Sequence, residues 1–476
     1  MAAGFASRWL FRRVAARPEE VAALGWSFAY FFCLLAGYYV LRPLRDEMGI
    51  AGGVRNLQWM FTATFGVMLA AVPLFGWTVA SLPRRRFIPA VYHFFVANIA
   101  IFWVLLTLRA DVPVVARVFF VWISVFNLFA VSVFWSFMAD LFTSDQAKRL
   151  FGFIAAGGSA GALLGPLVTV ALAAPLGVVN LLVVAAVMLE LAVLCARRLE
   201  HAAPALAAAS GRAATGTAEA DGSVGRIGAD ASDANAAASA APAATAAPAS
   251  RRSEGMGGSW LAGLAMVLRS PYLAGIALWV FLLSIAGTFL YFQQANIVAA
   301  ASDDPAVRTR IFASIDLAVG ILTLVVQFLA TGPLLTRFGV GRAAAFLPLV
   351  FGVGFLVLAW SPVLLVVVAF QAIQRTANFA VANPAREVLF TVLRRDEKYK
   401  AKNVIDIVVF RGADAIAGWL FSALREAGLA LATISLVTVP VSAVWLALAL
   451  ALGRGQERRA RLPQAEGVVT EPVRAG

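Results

Sequence analysis

A series of twelve apolar stretches constrains the fold of this chain more than any other feature. Each is about 20 residues long, the length that an α-helix needs to cross a bilayer. Hydrophobic residues make up 61% of the 476 residues and charged residues 14%, a balance too apolar for a soluble domain of this size. The sequence therefore predicts an all-α membrane protein with twelve transmembrane helices. The predicted spans are 24–44, 57–80, 87–108, 113–138, 151–173, 176–196, 268–292, 311–331, 343–360, 362–390, 404–424 and 428–452.

A short polar phrase occurs twice, at positions separated by slightly more than half of the chain. The copies are Leu141-Phe142-Thr143 followed by Asp145 and Lys148, and Leu389-Phe390-Thr391 followed by Asp396 and Lys400. A pseudo-repeat on this scale indicates two six-helix halves, as in transporters that bind a solute between two helical repeats. Both copies fall in loops, after helices four and ten. Lys148 and Lys400 are therefore predicted to act in gating.

Composition and charge divide the chain further. Residues 201–250 are nearly half Ala with interspersed Gly, Ser and Pro, so a disordered linker is predicted over 201–255. The first half is then 1–200, the second is 256–460, and a tail covers 461–476. Lys and Arg concentrate in the loops on the side of the N-terminus, so both termini are predicted to be cytoplasmic. The net charge of +13 lies in loops and indicates a lipid bilayer rather than nucleic acid.

Two sequence patterns concern helix contacts. The loop after the eighth span, residues 332–342, resembles the G-x-L-x-D-R-x-G-R-R signature of the major facilitator superfamily, with Thr336 in place of its Asp. In the fifth span, Gly157, Gly161 and Gly165 share one helical face. Small residues at this spacing let transmembrane backbones approach closely, so we interpret them as packing residues.

Polar side chains inside the spans are the candidate binding residues, because an arginine at membrane depth costs about 2.5–3.5 kcal/mol. They form stripes on three helices that are expected to line a central cavity. The candidates are Tyr38, Arg42 and Arg45 on the first span, Tyr291 and Gln294 on the seventh, and Gln371, Gln374, Arg375 and Asn378 on the tenth. Snorkelling of Arg42 and Arg45 to the membrane surface, or an interhelical seam around Arg375, are the structural alternatives.

Buried carboxylates are the candidates for coupling, because such a group can take up and release a proton during transport. Asp140 ends the fourth span, Asp316 lies in the eighth, and Asp414 lies in the eleventh. Arg411 and Asp414 are three residues apart on one helix, so an intrahelical ion pair is the simpler interpretation there. We include Asp140, Asp414 and Arg411 among the coupling or gating candidates.

The sequence does not predict a catalytic centre. The chain has two histidines and two cysteines, all widely separated, which form neither paired metal ligands nor a nucleophile with its base. We therefore expect no enzyme, cofactor or metal site. Cys33 and Cys195 fall in different predicted spans, and no disulfide framework follows.

Three segments resemble the ATP/ADP translocase family, the nucleotide transporters of plastids and intracellular bacteria. They are Tyr38-Tyr-Val-Leu-Arg42-Pro-Leu-Arg45-Asp46, residues 134–151 with Gly157-Gly158, and Glu397-Lys-Tyr-Lys-Ala-Lys-Asn-Val-Ile-Asp406. The resemblance implies a major-facilitator-like fold and exchange of ATP and ADP. It places Arg45 at the position of the family's helix-one lysine and Asp140 at that of its helix-four glutamate. On helix seven, where nucleotide exchangers carry a glutamate followed by lysines, this chain has Thr288 to Gln294.

The sequence thus predicts a secondary transporter of an anionic, phosphorylated solute, by resemblance a nucleotide exchanger. Two alternatives stay open: a proton-coupled transporter of another organic anion, and a membrane receptor or scaffold that does not transport. The preference for Arg over Lys is typical of a GC-rich bacterial genome, so a location in a bacterial inner membrane is expected. We also expect the protein to be a monomer.

Overall fold

The computed structural model describes residues 17–81, 84–218, 260–393, 397–398, 401–402 and 404–461. Every regular element within these ranges is helical, and helices occupy all twelve predicted spans. They are α1 (Val21–Ala51), α2 (Leu57–Ser81), α3 (Arg84–Thr107), α4 (Val112–Leu141), α5 (Ser144–Leu176), α6 (Leu181–Ala218), α7 (Pro271–Ala301), α8 (Pro305–Val326), α9 (Gly332–Trp360), α10 (Leu364–Leu389), α11 (Phe410–Glu426) and α12 (Leu431–Arg461). A short helix, Trp260–Arg269, precedes α7.

Nine of the helices in the described ranges are long and apolar enough to cross a membrane, which makes the chain a multi-pass membrane protein. Two of the helices extend beyond the predicted spans at their C-terminal ends: α1 continues to Ala51 and α7 to Ala301. α6 runs on to Ala218, so residues 201–218 are helical although they belong to the predicted linker. Alanine is the strongest helix former and can prolong a helix that packing has already nucleated. Residues 219–255 and 462–476 lie outside the described residues.

The first copy of the repeated phrase is a helix junction. Phe142 has an extended backbone and ends α4, and Thr143 then caps α5 by accepting a hydrogen bond from the Gln146 amide. The Gln146 side chain accepts from the Thr143 amide in return, which completes a capping box. In the second copy Leu389 ends α10, whereas Asp396 and Lys400 lie outside the described residues.

Two apolar cores hold the bundle together. The buried members of one come from residues 23–199, where α1 packs against α4, α5 and α6. The other comes almost entirely from residues 267–452, where α9 packs on α12 and α7 packs on α11. Between the two cores, α2 contacts α11, and α8 contacts both α5 and α1. In a six-helix repeat α2 corresponds to α8 and α5 to α11. The α2–α11 contact and the α8–α5 contact are therefore counterparts of each other.

The glycine stripe of α5 lies against α1, as predicted. A Cβ atom added at Gly157 would lie 2.6 Å from the Phe28 carbonyl oxygen, and one added at Gly165 would lie 2.6 Å from Tyr39 Cβ. At Gly161 it would overlap the Phe32 carbonyl oxygen. These glycines let α1 and α5 approach backbone to backbone, which fixes the helix that carries Arg42 and Arg45.

We expect Gly165→Ala to destabilise the protein by about 1–3 kcal/mol, because the added methyl group overpacks the α1–α5 contact. Gly152→Ala is the matched control on the same helix, since a Cβ atom there meets nothing within 4 Å. Thermal unfolding of the purified protein in detergent measures both. Equal unfolding temperatures for the two variants would contradict the packing role.

Candidate functional site

Two arginines from opposite halves of the bundle converge on one carboxylate. Arg375 on α10 donates from Nη1 to Asp316 Oδ1 at 2.6 Å, and Arg42 Nη1 on α1 lies 3.8 Å from the same oxygen. The Asp316 side chain is 1% exposed and each arginine side chain 14%, so all three charges are withdrawn from solvent. We call Arg42, Asp316 and Arg375 the Asp316 cluster. It lies between the halves, near the middle of α8 and α10.

The local sequence explains how α10 presents Arg375. The helix changes to a π-helical turn at Asn378–Ala382, directly before Asn383-Pro384. Proline has no amide hydrogen, so the regular hydrogen-bond ladder is interrupted at this point. A π turn inserts one residue into the helix and is frequent at functional sites. Arg375 therefore lies just before the point where α10 changes its winding.

A cavity adjoins the cluster between α1, α5, α8 and α10. Its lining includes Tyr39, Ser159, Thr323 and Phe379 beside Asp316 and Arg375. Within the described part of the chain, several buried polar atoms of this region have no hydrogen-bond partner. They are Arg42 Nη1, Asp316 Oδ2, Thr323 Oγ1, Arg375 Nε and Asn378 Oδ1. Since buried polar groups are nearly always satisfied, these atoms keep unused hydrogen-bonding capacity beside the cavity.

Three buried glutamines form a chain of amides beside the cluster, in the second half of the protein. Gln371 donates to Gln294 Oε1 across α10 and α7, and Gln374 donates to Gln371 Oε1 at 2.9 Å. The predicted stripes of α7 and α10 therefore meet, as expected for cavity-lining helices. Their amides are largely engaged with one another, however, and so present few free groups to a solute.

One end of the interface is closed by contacts between the halves. This distal end carries the connections α1–α2 (residues 52–56) and α7–α8 (302–304). Arg308 on α8 binds Glu47 on α1 with two hydrogen bonds of 2.7 Å, and Tyr291 on α7 donates to Asp46 on α1 at 3.0 Å. We call these two contacts the distal gate. Glu47 is 1% exposed, so its pair with Arg308 is shielded from water.

The gate also explains the position of Arg45. Its guanidinium lies over the Phe120 ring at 4.1 Å from the centroid and pairs with Asp46 at 3.4 Å. Of the predicted binding residues, Arg42 and Arg375 therefore meet in the cluster, whereas Arg45 and Tyr291 belong to the gate region. Tyr38 is buried against the Tyr39 and Phe126 rings within the first half.

The coupling candidates lie apart from the cluster. Asp414 accepts hydrogen bonds from Ser284 and from Thr288 (3.0 Å) on α7, and pairs with Arg411 at 3.3 Å, as the spacing suggested. All of these partners are in the second half. Asp140 is exposed at the end of α4. The structure does not describe the Lys148 side chain, and Lys400 is outside the described residues.

The sequence indicates Arg42, Arg375 and Tyr291 at the interface but assigns no role to several of their partners. Asp316 stood out as a carboxylate in a predicted span but received no role, and Glu47, Arg308 and Thr323 were not singled out. Asp316 carries a signal, since a charge at membrane depth needs a partner. Glu47 and Arg308 carry none, because each lies near a predicted helix end where charge is common.

Comparison with solved structures identifies the fold. The chain is similar to a mutant form of the nucleoside transporter NupG, with a TM-score of 0.57 and 13% identity over 91% of this chain and 99% of that one. It is also similar to a POT family transporter in complex with a thioalcohol-conjugated peptide, and to one with 5-aminolevulinic acid. Each of these two has a TM-score of 0.56 and 11% identity over 92% of this chain and 96% of the other.

No family model matches the chain, and no curated protein matches its sequence. The structural likeness shows the predicted fold, that of the major facilitator superfamily, and the three proteins named above are transporters rather than enzymes.

We expect Glu47→Gln to open the distal gate, because it removes the buried anion that pairs with Arg308. Removing one partner of a buried ion pair typically costs about 3–5 kcal/mol. Spin labels at the exposed positions Arg55 and Asp303, in a protein with both native cysteines replaced, should then report a longer distance. Glu387→Gln is the control, since it breaks the 2.8 Å pair with Lys402 inside the second half. A wild-type distance in Glu47→Gln would refute the gate.

Proposed function

We propose that this protein is a secondary transporter that carries a small organic anion between its two halves by alternating access. The convergence of Arg42 and Arg375 from opposite halves supports this most directly. Guanidinium groups bind carboxylate and phosphate oxygens in a bidentate manner. With Asp316 between them, the three groups carry a surplus of one positive charge, which favours an anion in the adjoining cavity.

A transporter also needs contacts between its halves that can break. The distal gate closes one end with contacts that join α1 to α7 and α8, whereas the two most extensive helix contacts, α1 with α5 and α9 with α12, each lie within one half. Moving one half against the other therefore exchanges these polar contacts together with the α2–α11 and α8–α5 packing, and leaves the helix packing inside each half in place. A receptor or scaffold would have no need for buried charges that pair across the interface, and we favour transport for that reason.

Nucleotides are the first candidate solutes, because the sequence resembles the ATP/ADP translocase family. ATP/ADP exchange by antiport would then be the reaction, with a phosphorylated solute held by the two arginines. The surplus of a single positive charge favours a second candidate, a solute with one carboxylate or one phosphate. Asp316 offsets one arginine of the cluster, and Asp46 offsets Arg45, which leaves little charge for a triphosphate.

The cellular setting follows from the same proposal. We place the protein as a monomer in a bacterial inner membrane with both termini cytoplasmic, because Lys and Arg concentrate in the loops on that side. The distal gate would then close the external end, and the loop around Lys148 would lie on the cytoplasmic face.

Counterflow in proteoliposomes tests the proposal. Vesicles preloaded with unlabelled ATP should accumulate labelled ADP, or vesicles preloaded with phosphate should accumulate labelled inorganic phosphate. We expect Arg42→Gln and Arg375→Gln each to lower the rate at least tenfold, because each removes one charge-assisted contact to the solute. Arg310→Gln is the matched control, an exposed arginine on α8.

Accumulation of neither solute by the wild type would refute anion transport as proposed. Full rates in both cluster variants, with the control also unchanged, would remove the arginines from solute binding while leaving transport itself in place.

A further inference from the structure

The cavity beside the Asp316 cluster has a charged end and an uncharged end. Asp316 and Arg375 line the first, and Thr323 lines the second, two helical turns further along α8. The two ends are therefore about 10 Å apart. Among the described residues that line the cavity, Asp316 and Arg375 alone carry charge. The cavity thus has one place for an anion and, two turns away, an end without charge.

Thr323 supplies the uncharged end with an unused hydroxyl group. The residue is 3% exposed, and its Oγ1 atom has no hydrogen-bond partner in the described part of the chain. Ser159 on α5 lines the same cavity and donates to the Ala155 carbonyl at 3.4 Å, so its oxygen can still accept a hydrogen bond. A buried hydroxyl group is costly to leave unpaired. A solute that brings a hydroxyl or carbonyl group to this point would satisfy it.

The contact between α5 and α8 shows how the two ends are separated. A Cβ atom added at Gly320 would lie 2.6 Å from Leu163 Cδ2, so these two residues face each other. Because the two helices run in opposite directions, Ser159 before Leu163 and Thr323 after Gly320 lie on the same side of this contact. Asp316 lies on the other side, one turn before Gly320. The cavity is therefore narrow in its middle, with hydroxyl groups on one side and charges on the other.

The middle of the cavity is apolar. Ala162 and Leu163 on α5, Val319 and Gly320 on α8, and the Phe379 ring on α10 line it. A sugar ring placed here would lose its hydration without gaining hydrogen bonds. The close approach of Gly320 to Leu163 also leaves little room for a branched group. These surroundings disfavour a nucleotide and suit an unbranched hydrocarbon segment.

We propose that the solute is an unbranched organic acid with a second, uncharged polar group about 10 Å from its carboxylate, the distance between the two ends of the cavity. The carboxylate binds Arg375 and Arg42, the hydrocarbon segment lies between α5 and α8, and a hydroxyl or carbonyl group pairs with Thr323. This inference rests on the proposed function and narrows its second candidate to one class of solute. An extended chain advances about 1.2 Å per bond, so about eight bonds separate the two polar groups.

A double-mutant cycle between solute and protein tests the role of Thr323. Octanoate and 8-hydroxyoctanoate differ by one hydroxyl group, which lies at the required distance from the carboxylate. Isothermal titration calorimetry on the full-length protein in nanodiscs gives the dissociation constant of each acid. We expect Thr323→Val to lower the preference for the hydroxylated acid, the ratio of the two constants, about fivefold, because the variant keeps the side-chain shape and loses the hydrogen bond. The difference in hydrophobicity between the acids cancels when the ratios are compared.

Three controls accompany this measurement. Thr309→Val on the same helix removes another buried hydroxyl that has no partner among the described residues, but Thr309 does not line the cavity, so the ratio should stay that of wild type. For butyrate and 4-hydroxybutyrate, whose hydroxyl falls about 5 Å short of Thr323, Thr323→Val should leave the ratio unchanged. Arg375→Gln should weaken both longer acids at least tenfold, since it removes a charge-assisted contact to the carboxylate.

An unchanged ratio in Thr323→Val, or an equal loss in Thr309→Val, would overturn the assignment. So would a wild type that binds neither longer acid while it accumulates ADP or phosphate, and that result would leave anion transport established. Binding with the predicted ratios, without counterflow of labelled ADP, phosphate or 8-hydroxyoctanoate, would support the site and refute the proposed function.

Discussion

Charge inside a membrane must be paired, and this requirement organises the centre of the protein. A guanidinium group at membrane depth is costly unless a carboxylate or a ring lies against it. In this chain the partners of several buried charges lie in the opposite half: Arg42 with Asp316, and Arg308 with Glu47. The same contacts that make these charges tolerable also hold the halves together. A change in either pair therefore alters both the electrostatics of the interior and the arrangement of the halves.

The packing of each half complements these polar contacts. Glycines on α5 bring its backbone against α1, so the two helices form one closely packed unit. Across the interface, α2 meets α11 and α8 meets α5, and these are related contacts of the two repeats. The rigid parts thus carry Arg42 on one side and Arg375 on the other. Separation of the two guanidinium groups is the expected consequence of any movement of one half against the other.

Much of the fold was accessible from the sequence, because apolar length alone marks a helix that crosses a bilayer. The polar stripes also drew attention to Arg42 and Arg375, which the structure places against the same carboxylate. Charge at that depth is expensive wherever its partner lies. The partner itself was not accessible. Asp316 is far from Arg42 in the chain, and one sequence contains no information about which distant helix faces which. Arg45 illustrates the same limit: it shares a helical face with Arg42, yet one turn of α1 places it on Phe120 at the distal end instead.

Two buried carboxylates differ in whether their partners lie in one half of the protein or in both. Asp414 has Ser284, Thr288 and Arg411 as partners, all in its own half, so motion between the halves leaves its surroundings unchanged. Asp316 depends on arginines from both halves and keeps one oxygen without a partner in the described structure. Its electrostatic environment must change when the halves separate or when another anion competes for the arginines. Asp316 therefore belongs to the contacts that a relative movement of the two halves would change, whereas Asp414 does not.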